Sequence, residues 1–255
     1  MADVKARLPQ TTIKRYTVRV SDKVVLRTEQ IRFSYGRHAV LNGLDLAVPA
    51  GQVYGFLGRN GAGKTTTIQI LLGILVPNAG TIHFNQQQVR RTTAAMKRRI
   101  GYVSQRQFFY DWMRVRQLGR FVAGFYPTWS EGVFRALLDR LQIDRAQRVG
   151  ALSGGTRMKL AMALALAPEP ELLVLDEPTA GVDPIARREI LDLLRDVCAA
   201  DGRTVLFSTH NIDEVEKIAD VAGILHQGVL AFQGPVNDLG DVEEAFLRIV
   251  LESSE

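Results

Sequence analysis

Residues 54–75, YGFLGRNGAGKTTTIQILLGIL, join a short apolar strand to a helical run at 65–75 through a glycine-rich loop. The loop matches the pattern G-x-x-x-x-G-K-[ST], and its place between a strand and a helix is the context that gives this pattern meaning. Further along, LLVLD at 172–176 and TVLFS at 204–208 are short and largely apolar, which is typical of buried strands covered by helices. The sequence therefore predicts an α/β fold.

The glycine-rich loop has the groups needed to hold phosphates. Glycines let backbone N–H groups turn inward, and the N-terminus of the following helix adds the positive end of its dipole. We expect Lys64 to bridge the β- and γ-phosphates and the Thr65 hydroxyl to bind Mg²⁺. The sequence thus predicts a Mg-ATP site. Its predicted nucleotide contacts are Gly58, Arg59, Asn60, Gly61, Ala62, Gly63, Lys64, Thr65 and Thr66.

Two acids and a histidine follow the later strands. Asp176 and Glu177 end the LLVLD strand, at the edge where α/β sheets hold their ligands. We predict that Asp176 binds Mg²⁺ and that Glu177 polarises the water that attacks the γ-phosphate. His210 follows TVLFST, so it should reach the same edge and hydrogen-bond to the γ-phosphate. The alternatives are a pair of exposed loop acids and a structural histidine.

The composition indicates one folded domain. The chain has 255 residues, of which 46% are hydrophobic and 23% charged, close to the averages of globular proteins. The N-terminus has no apolar section typical of a secretory signal, and no apolar run approaches the roughly 18 residues that span a bilayer. The single cysteine, Cys198, excludes an internal disulfide and is expected to be a packed thiol. We therefore expect a cytosolic protein.

A helical insert interrupts the strand pattern between about Gln105 and Leu152. The runs RQLGRFVAGFY and VFRALLDRLQI have helical spacing and are separated by Pro127. We predict a helical subdomain at about residues 106–160.

The two ends of the chain are predicted separately from the main domain at 24–255. Residues 1–23 form an N-terminal extension that could add an edge strand or be a loose arm. Apolar residues at helical spacing predict an amphipathic C-terminal helix at about 241–252.

The segment LSGGT at 152–156 runs on through RMKLAMALALAPEPELLVLDEPTAGVDP to Pro184. Together with the glycine-rich loop, this order of segments resembles the nucleotide-binding subunits of ABC transporters over residues 24–235. The resemblance implies a P-loop NTPase core with a mixed sheet, an antiparallel β edge and an inserted helical subdomain. It further implies an ATPase with ATP and Mg²⁺ as cofactors.

In that family, two subunits meet head to tail, either two copies of one chain or two homologous chains. The resemblance implies that Ser153, Gly154 and Gly155 of one subunit close over the ATP held by the other. Their position before a helix suits this role, since a hydroxyl and free N–H groups can meet a phosphate there, although a helix cap alone is the alternative. Thr156 departs from the glutamine most common in the family.

Three further residues match the family one at a time. Tyr35 resembles the aromatic residue that stacks on adenine, and Gln105 resembles the glutamine that reaches Mg²⁺ and senses the nucleotide. Asp183 resembles the acid that couples the two sites across the dimer. The alternatives are an ordinary tyrosine at a strand end, an exposed glutamine and a helix start at Pro184.

A basic and aromatic stretch explains much of the net charge of +5. Between residues 90 and 120 the only acid is Asp111. The stretch lies where the family docks a helix of its membrane partner, although a solvated basic face is the alternative. Its predicted apolar anchors are Phe108, Phe109, Tyr110, Trp112 and Met113.

The resemblance predicts an ABC exporter ATPase of the two-component (ABC-2-like) kind, peripheral on the inner face of the cell membrane. It would drive a transmembrane subunit encoded separately. An importer ATPase is the nearest alternative, and an ABC ATPase that acts on ribosomes or nucleic acid is the other. Only about ninety residues separate the glycine-rich loop from LSGGT, which leaves no room for the long coiled coil of the DNA-end group. We therefore expect no nucleic-acid partner.

Overall fold

The computed structural model of the protein describes residues 23–89 and 93–252. Most of the predicted N-terminal extension, with Arg90 and Arg91 of the basic stretch, lies outside the described residues. The strands are β1 (Val24–Tyr35), β2 (His38–Leu44), β3 (Ala47–Pro49), β4 (Val53–Leu57), β5 (Ala79–Phe84), β6 (Gln87–Val89), β7 (Ile100–Val103), β8 (Leu172–Asp176), β9 (Thr204–Thr209), β10 (Val221–His226) and β11 (Val229–Pro235). The α-helices are α1 (Lys64–Leu71), α2 (Ala94–Lys97), α3 (Val115–Ala123), α4 (Glu131–Arg140), α5 (Gly154–Leu166), α6 (Pro184–Asp201), α7 (Ile212–Ile218) and α8 (Val242–Glu252).

These strands form two sheets. The larger has the order β11-β10-β4-β9-β8-β7, and it is parallel except for the antiparallel β10–β11 pair. The smaller is antiparallel, with the order β2-β1-β5-β6 and β3 beside β1. The predicted α/β class, with a mixed sheet and an antiparallel edge, is confirmed.

The larger sheet separates two apolar cores. Its central strands β4, β8 and β9 are buried along their whole length, which is why their sequences are apolar at most positions. Alternate residues face opposite sides, as a strand requires. Leu173 and Leu175 pack with helices α4, α5 and α6, whereas Leu172 and Val174 pack with α1 and the smaller sheet. Because the two cores cover both faces of the larger sheet, its parallel strands are fixed with their carboxyl ends together at one edge.

The helix after the glycine-rich loop is shorter than its sequence pattern predicts. We expected it to run to residue 75, but α1 ends at Leu71 and Leu72 is its C-terminal cap. Gly73 has a φ of 66°, a left-handed conformation that ends a helix. The apolar Ile74 and Leu75 after it therefore extend the hydrophobic pattern past the true end of the helix.

Helices α3, α4 and α5 lie between β7 and β8 in the chain. Ser130 caps α4 by accepting a hydrogen bond from the Val133 N–H at 3.3 Å. The Phe134 ring packs 5.1 Å from Trp129, and α5 packs on α4, α6 and β7. Within residues 23–89 and 93–252, no helix is both long enough and apolar enough to cross a bilayer.

Candidate functional site

Glycine is required at both ends of the loop between β4 and α1. The Gly58 N–H donates to the Thr209 carbonyl at 3.2 Å, and a Cβ on Gly58 would lie 2.9 Å from the Leu225 carbonyl oxygen. Gly63 has a φ of 110°, and a Cβ there would lie 2.9 Å from Leu41 Cδ2. The loop is thus pressed against strands β2 and β10 at positions where no side chain fits.

The start of α1 fits an anion. Its N-cap is Gly63, which provides no side-chain hydrogen bond, and its first turn contains no acidic residue. The first N–H groups of a helix have no acceptor within the helix, and they carry its positive dipole end. Phosphate oxygens supply both the acceptors and the negative charge that such an end favours. The residues here therefore fit the phosphates of ATP.

Lys64 is buried inside this loop. Its ammonium donates to the carbonyl oxygens of Gly58 at 2.7 Å and Arg59 at 3.2 Å. It also lies 3.0 Å from Glu177 Oε1, and its side chain is only 4% exposed. A buried charge is costly unless it is paired, so these contacts fix the ammonium in place. The paired carboxylate comes from the end of β8.

Three other predicted site residues contact the carboxylate of Glu177. Its Oε1 contacts Lys64, while its Oε2 accepts from Gln105 Nε2 at 3.3 Å and lies 3.3 Å from His210 Nδ1. Its backbone φ is 46°, in the left-handed region that non-glycine residues seldom adopt. The Glu177 N–H donates to Ser208 Oγ at 3.0 Å, which helps to hold this conformation.

Asp176 and Thr65 offer oxygen atoms of the kind that Mg²⁺ prefers. Asp176 is 2% exposed, and its Oδ1 accepts from Ser208 Oγ at 2.7 Å, whereas Thr65 is exposed at the start of α1. Burial and then the charge of Asp176 raise the pKa of Tyr102. The described residues contain no group of three or more His, Cys, Asp or Glu that could hold a metal. The Asp176 carboxylate and the Thr65 hydroxyl themselves suit Mg²⁺, which is usually bound by one or two carboxylates and completes its shell with water and substrate phosphates.

The LSGGT segment does not reach the loop of its own chain. Ser153 caps α5, accepting from the Thr156 N–H at 3.2 Å and sharing a hydrogen bond with its hydroxyl at 2.9 Å. Among the described residues, no hydrogen bond or ion pair joins Ser153, Gly154 or Gly155 to residues 58–66. Gly154 has open space where a side chain would be.

Asp183 and Tyr35 occupy two further places in the structure. Asp183 Oδ1 accepts from the N–H groups of Ile185 at 3.1 Å and Ala186 at 3.0 Å, so the acid caps α6. Tyr35 ends β1, and its ring stands edge-on to Phe33 at 4.8 Å while about half of the residue is exposed. Neither residue contacts the Glu177 cluster.

The comparisons with known proteins agree with this geometry. A family profile described as ABC transporter matches residues 41–180, which include the loop and both acids. The chain belongs to the ABC transporter family. Bacitracin transport ATP-binding protein BcrA of Bacillus licheniformis is 33% identical over 229 residues, covering 89% of this chain and 75% of the relative. Nod factor export ATP-binding protein I of Paraburkholderia xenovorans is 36% identical over 212 residues, covering 81% and 69%.

Similar solved structures are also ATP-binding subunits or cassettes of ABC transporters. A structure described as the ATP binding subunit of an ABC transporter superposes with a TM-score of 0.79 at 26% identity. It covers 88% of this chain and 99% of its own. Within the ABC transporter family, the chain is therefore an ATP-binding subunit with the expected P-loop core.

The sequence patterns did not predict the hydroxyl and carboxyl groups that support Asp176, Glu177 and His210 from within the fold. Ser208 bridges Asp176 and the Glu177 backbone. Thr209 donates to the buried Glu214 at 2.6 Å. The signal available was a pair of hydroxyl residues at the end of a buried strand, a place where polar side chains need partners.

The predicted membrane-docking stretch of the ABC subunit is only partly exposed. Phe108, Tyr110 and Trp112 are exposed, but Phe109 and Met113 pack against the core between the helices and the larger sheet. Phe109 and Met113 are therefore only partly buried against their own subdomain, and their role as anchors stays a prediction. Two aromatic residues that were not predicted as anchors extend the exposed patch, with ring centroids 5.6 Å and 5.3 Å apart along the series Tyr110, Phe121 and Phe125.

Proposed function

We propose that this ABC subunit hydrolyses ATP and drives a separately encoded transmembrane subunit of an exporter. The observation that carries the proposal is the Glu177 carboxylate. One of its oxygens meets Lys64 of the phosphate loop, and the other meets Gln105 and His210. The Glu177 carboxylate thus lies between the lysine that would bind the phosphates and the two side chains that would orient the carboxylate toward the attacking water.

Each residue has a part in hydrolysis. Bound Mg-ATP supplies the phosphoryl group and the cation that neutralises its charge. Thr65, Gln105 and Asp176 would provide oxygen ligands for that cation. Lys64 exchanges its contact with Glu177 Oε1 for a phosphate oxygen, which leaves Oε1 free to accept a hydrogen bond from the attacking water. His210 keeps the opposite oxygen of Glu177 in place.

The proposed working unit is a dimer around two Mg-ATP. The support is that Ser153 and Gly154 are exposed and make no contact with their own phosphate loop, although they begin a helix that can bind an anion. A Cβ on Gly155 would lie 2.8 Å from Ala186 Cβ and 3.3 Å from Asp183 Oδ2. The LSGGT segment and Asp183 therefore share one surface that a second copy, or a homologous subunit, can cover.

Two observations favour an exporter located at the inner face of the membrane. The relatives that match over most of this chain are named for bacitracin transport and Nod factor export. The exposed aromatic series from Phe108 to Phe125 offers an apolar surface for a transmembrane subunit, with arginines around it.

The proposal is tested by Glu177→Gln. Removing the charge from the carboxylate should slow phosphate release by at least about 100-fold while ATP still binds, since the loop is unchanged. With ATP and Mg²⁺, the variant should accumulate as a dimer in light scattering after gel filtration. Phosphate release at the wild-type rate would remove Glu177 from catalysis, and a wild-type chain that releases no phosphate would refute the hydrolysis itself.

A further inference from the structure

Glu214 is a buried carboxylate that the reaction as described does not use. It lies in α7, and only 2% of the residue is exposed. Its Oε1 accepts from Thr179 Oγ1 at 2.7 Å and pairs with Arg187 Nε at 2.9 Å, while its Oε2 accepts from Thr209 Oγ1 at 2.6 Å. Burying a carboxylate is costly unless donors surround it, and here three donors from three different segments do so.

The first donor fixes the backbone around His210. The Thr209 hydroxyl donates to Glu214 and accepts from the Asn211 N–H at 3.0 Å, so the residues on both sides of His210 are tied down. The Thr209 carbonyl also accepts from the Gly58 N–H. The position of the imidazole therefore depends on Glu214 through one intervening residue.

The second donor fixes the turn that begins at Glu177. Thr179 follows Glu177 by two residues, and the Ala180 N–H donates to the Glu177 carbonyl at 3.1 Å. Because the Glu177 backbone is in the left-handed region, surrounding contacts must hold it there. The Thr179 hydroxyl on Glu214 is one of those contacts.

The third donor belongs to the helix that Asp183 caps. The Arg187 N–H donates to the Asp183 carbonyl at 2.9 Å, and its Nε pairs with Glu214. Among the described residues, Arg187 Nη2 is buried without a hydrogen-bond partner, so the guanidinium depends on this carboxylate. The start of α6 is thereby joined to the same centre as Glu177 and His210.

We propose that Glu214 is a positioning residue for ATP hydrolysis. It contacts none of the reacting groups, but it holds the Glu177 turn, the His210 turn and the Asp183 cap in one arrangement. By holding these segments, Glu214 maintains the 3.3 Å distance between Glu177 Oε2 and His210 Nδ1. The inference rests on the proposed hydrolysis, and it assigns the geometry of that site to a residue outside it.

The test is Glu214→Gln, which keeps the shape and removes the charge. A shift of about 1 Å in a reacting group can cost about 100-fold in rate, so we expect kcat to fall by about 10- to 100-fold. The KM and the equilibrium affinity for ATP should stay within about threefold, because Lys64 and the loop keep their contacts. Glu216→Gln, an exposed position on the same helix, is the matched control and should leave kcat unchanged.

Hydroxyl variants separate positioning from general stability. Thr209→Val and Thr179→Val should each lower kcat alone, and one of the two should add little in the Glu214→Gln background, because the amide keeps only one of the two acceptor oxygens. Glu214→Asp, which restores the charge, should recover part of the rate. If Glu214→Gln does not fold, Thr209→Val provides the same measurement with the carboxylate and Arg187 still paired.

Two outcomes would overturn the proposal. One is a folded Glu214→Gln protein with kcat within twofold of the wild type. The other is a joint loss of kcat, ATP affinity and melting temperature, which is the pattern of a purely structural residue. A wild-type chain that binds ATP but releases no phosphate would instead refute the proposed function, and this inference with it.

Discussion

At the residue scale, the buried Lys64 is the side chain on which ATP binding should depend most. Lys64→Ala should lower the affinity for ATP by at least about 100-fold, because Lys64 is the buried cation inside the loop and its charge-assisted contact to phosphate is lost. Titration with a fluorescent ATP analogue measures this. Lys97→Ala, an exposed lysine of α2, is the control that should bind normally. Equal binding by both variants would show that Lys64 does not contact the phosphates.

The lone cysteine gives a second prediction at this scale. Burial, with a smaller contribution from Asp220, raises the pKa of Cys198 to about 11. Only about one thiol in a thousand is then ionised at pH 8, so alkylation by iodoacetamide should be far slower in the native chain than in urea. Equal rates would mean that the thiol is accessible. A slow native rate agrees with a packed thiol that has no catalytic part.

The sequence could predict which residues meet at the site, but not what supports them. Lys64, Glu177 and His210 all follow buried parallel strands, and such strands end at one edge of the sheet. Ser208 reaches Asp176 across 32 positions of the chain, and Glu214 reaches Thr179 across 35. Those contacts depend on the packing of side chains from separate elements, which a local pattern does not encode.

At the scale of the elements, apolar spacing located the helices better than their ends. The pattern at 65–75 continues past Gly73, whose left-handed backbone ends α1 early. Phe109 and Met113 look like surface anchors in a basic stretch, yet each is partly buried against the core of its own subdomain. In both cases the deciding factor is three-dimensional: a glycine conformation in the first and a shared core in the second.

The close packing of α3 on α4 leads to a prediction about stability. A Cβ on Gly119 would lie 2.3 Å from Phe134 Cε1, and Phe134 is fully enclosed. Gly119→Ala should lower the free energy of unfolding by about 1–2 kcal/mol, after subtracting roughly 1 kcal/mol for the better helix propensity of alanine. Urea denaturation followed by circular dichroism measures the change.

The control for this prediction is another helical glycine. Gly132 lies in the first turn of α4, and its nearest potential contact is Ser130 Oγ at 3.9 Å. Gly132→Ala should be neutral or stabilise by up to about 1 kcal/mol. If Gly119→Ala is as stable as this control, the two helices are not packed as closely as described.

At the scale of the whole molecule, the proposed dimer requires two halves of a site on separate parts of one chain. In that proposal the loop, Glu177 and His210 form one half and Ser153 to Gly155 form the other, and among the described residues no hydrogen bond or ion pair joins the two within one chain. Ser153→Arg should therefore leave ATP binding to the monomer unchanged while it blocks closure of the one site that this LSGGT segment would cover, by placing a bulky cation in the contact. A dimer of two such chains has both sites blocked. Phosphate release should fall to the level of Glu177→Gln.

Mixing inactive variants tests whether one subunit completes the site of the other. In a dimer of Lys64→Ala with Ser153→Arg, both changes fall in one site, and the other site combines an intact loop with an intact LSGGT segment. Half of the dimers in an equal mixture are mixed, and each has one complete site of two, so about a quarter of the wild-type rate should return. The matched control mixes Lys64→Ala with Glu177→Gln. Both of those changes damage the loop half of their own chain, so every site is defective and no activity should return. No recovery in the first mixture would contradict the completion of one subunit's site by the other's LSGGT segment, and recovery in the control would mean that Lys64 and Glu177 do not act in the same site.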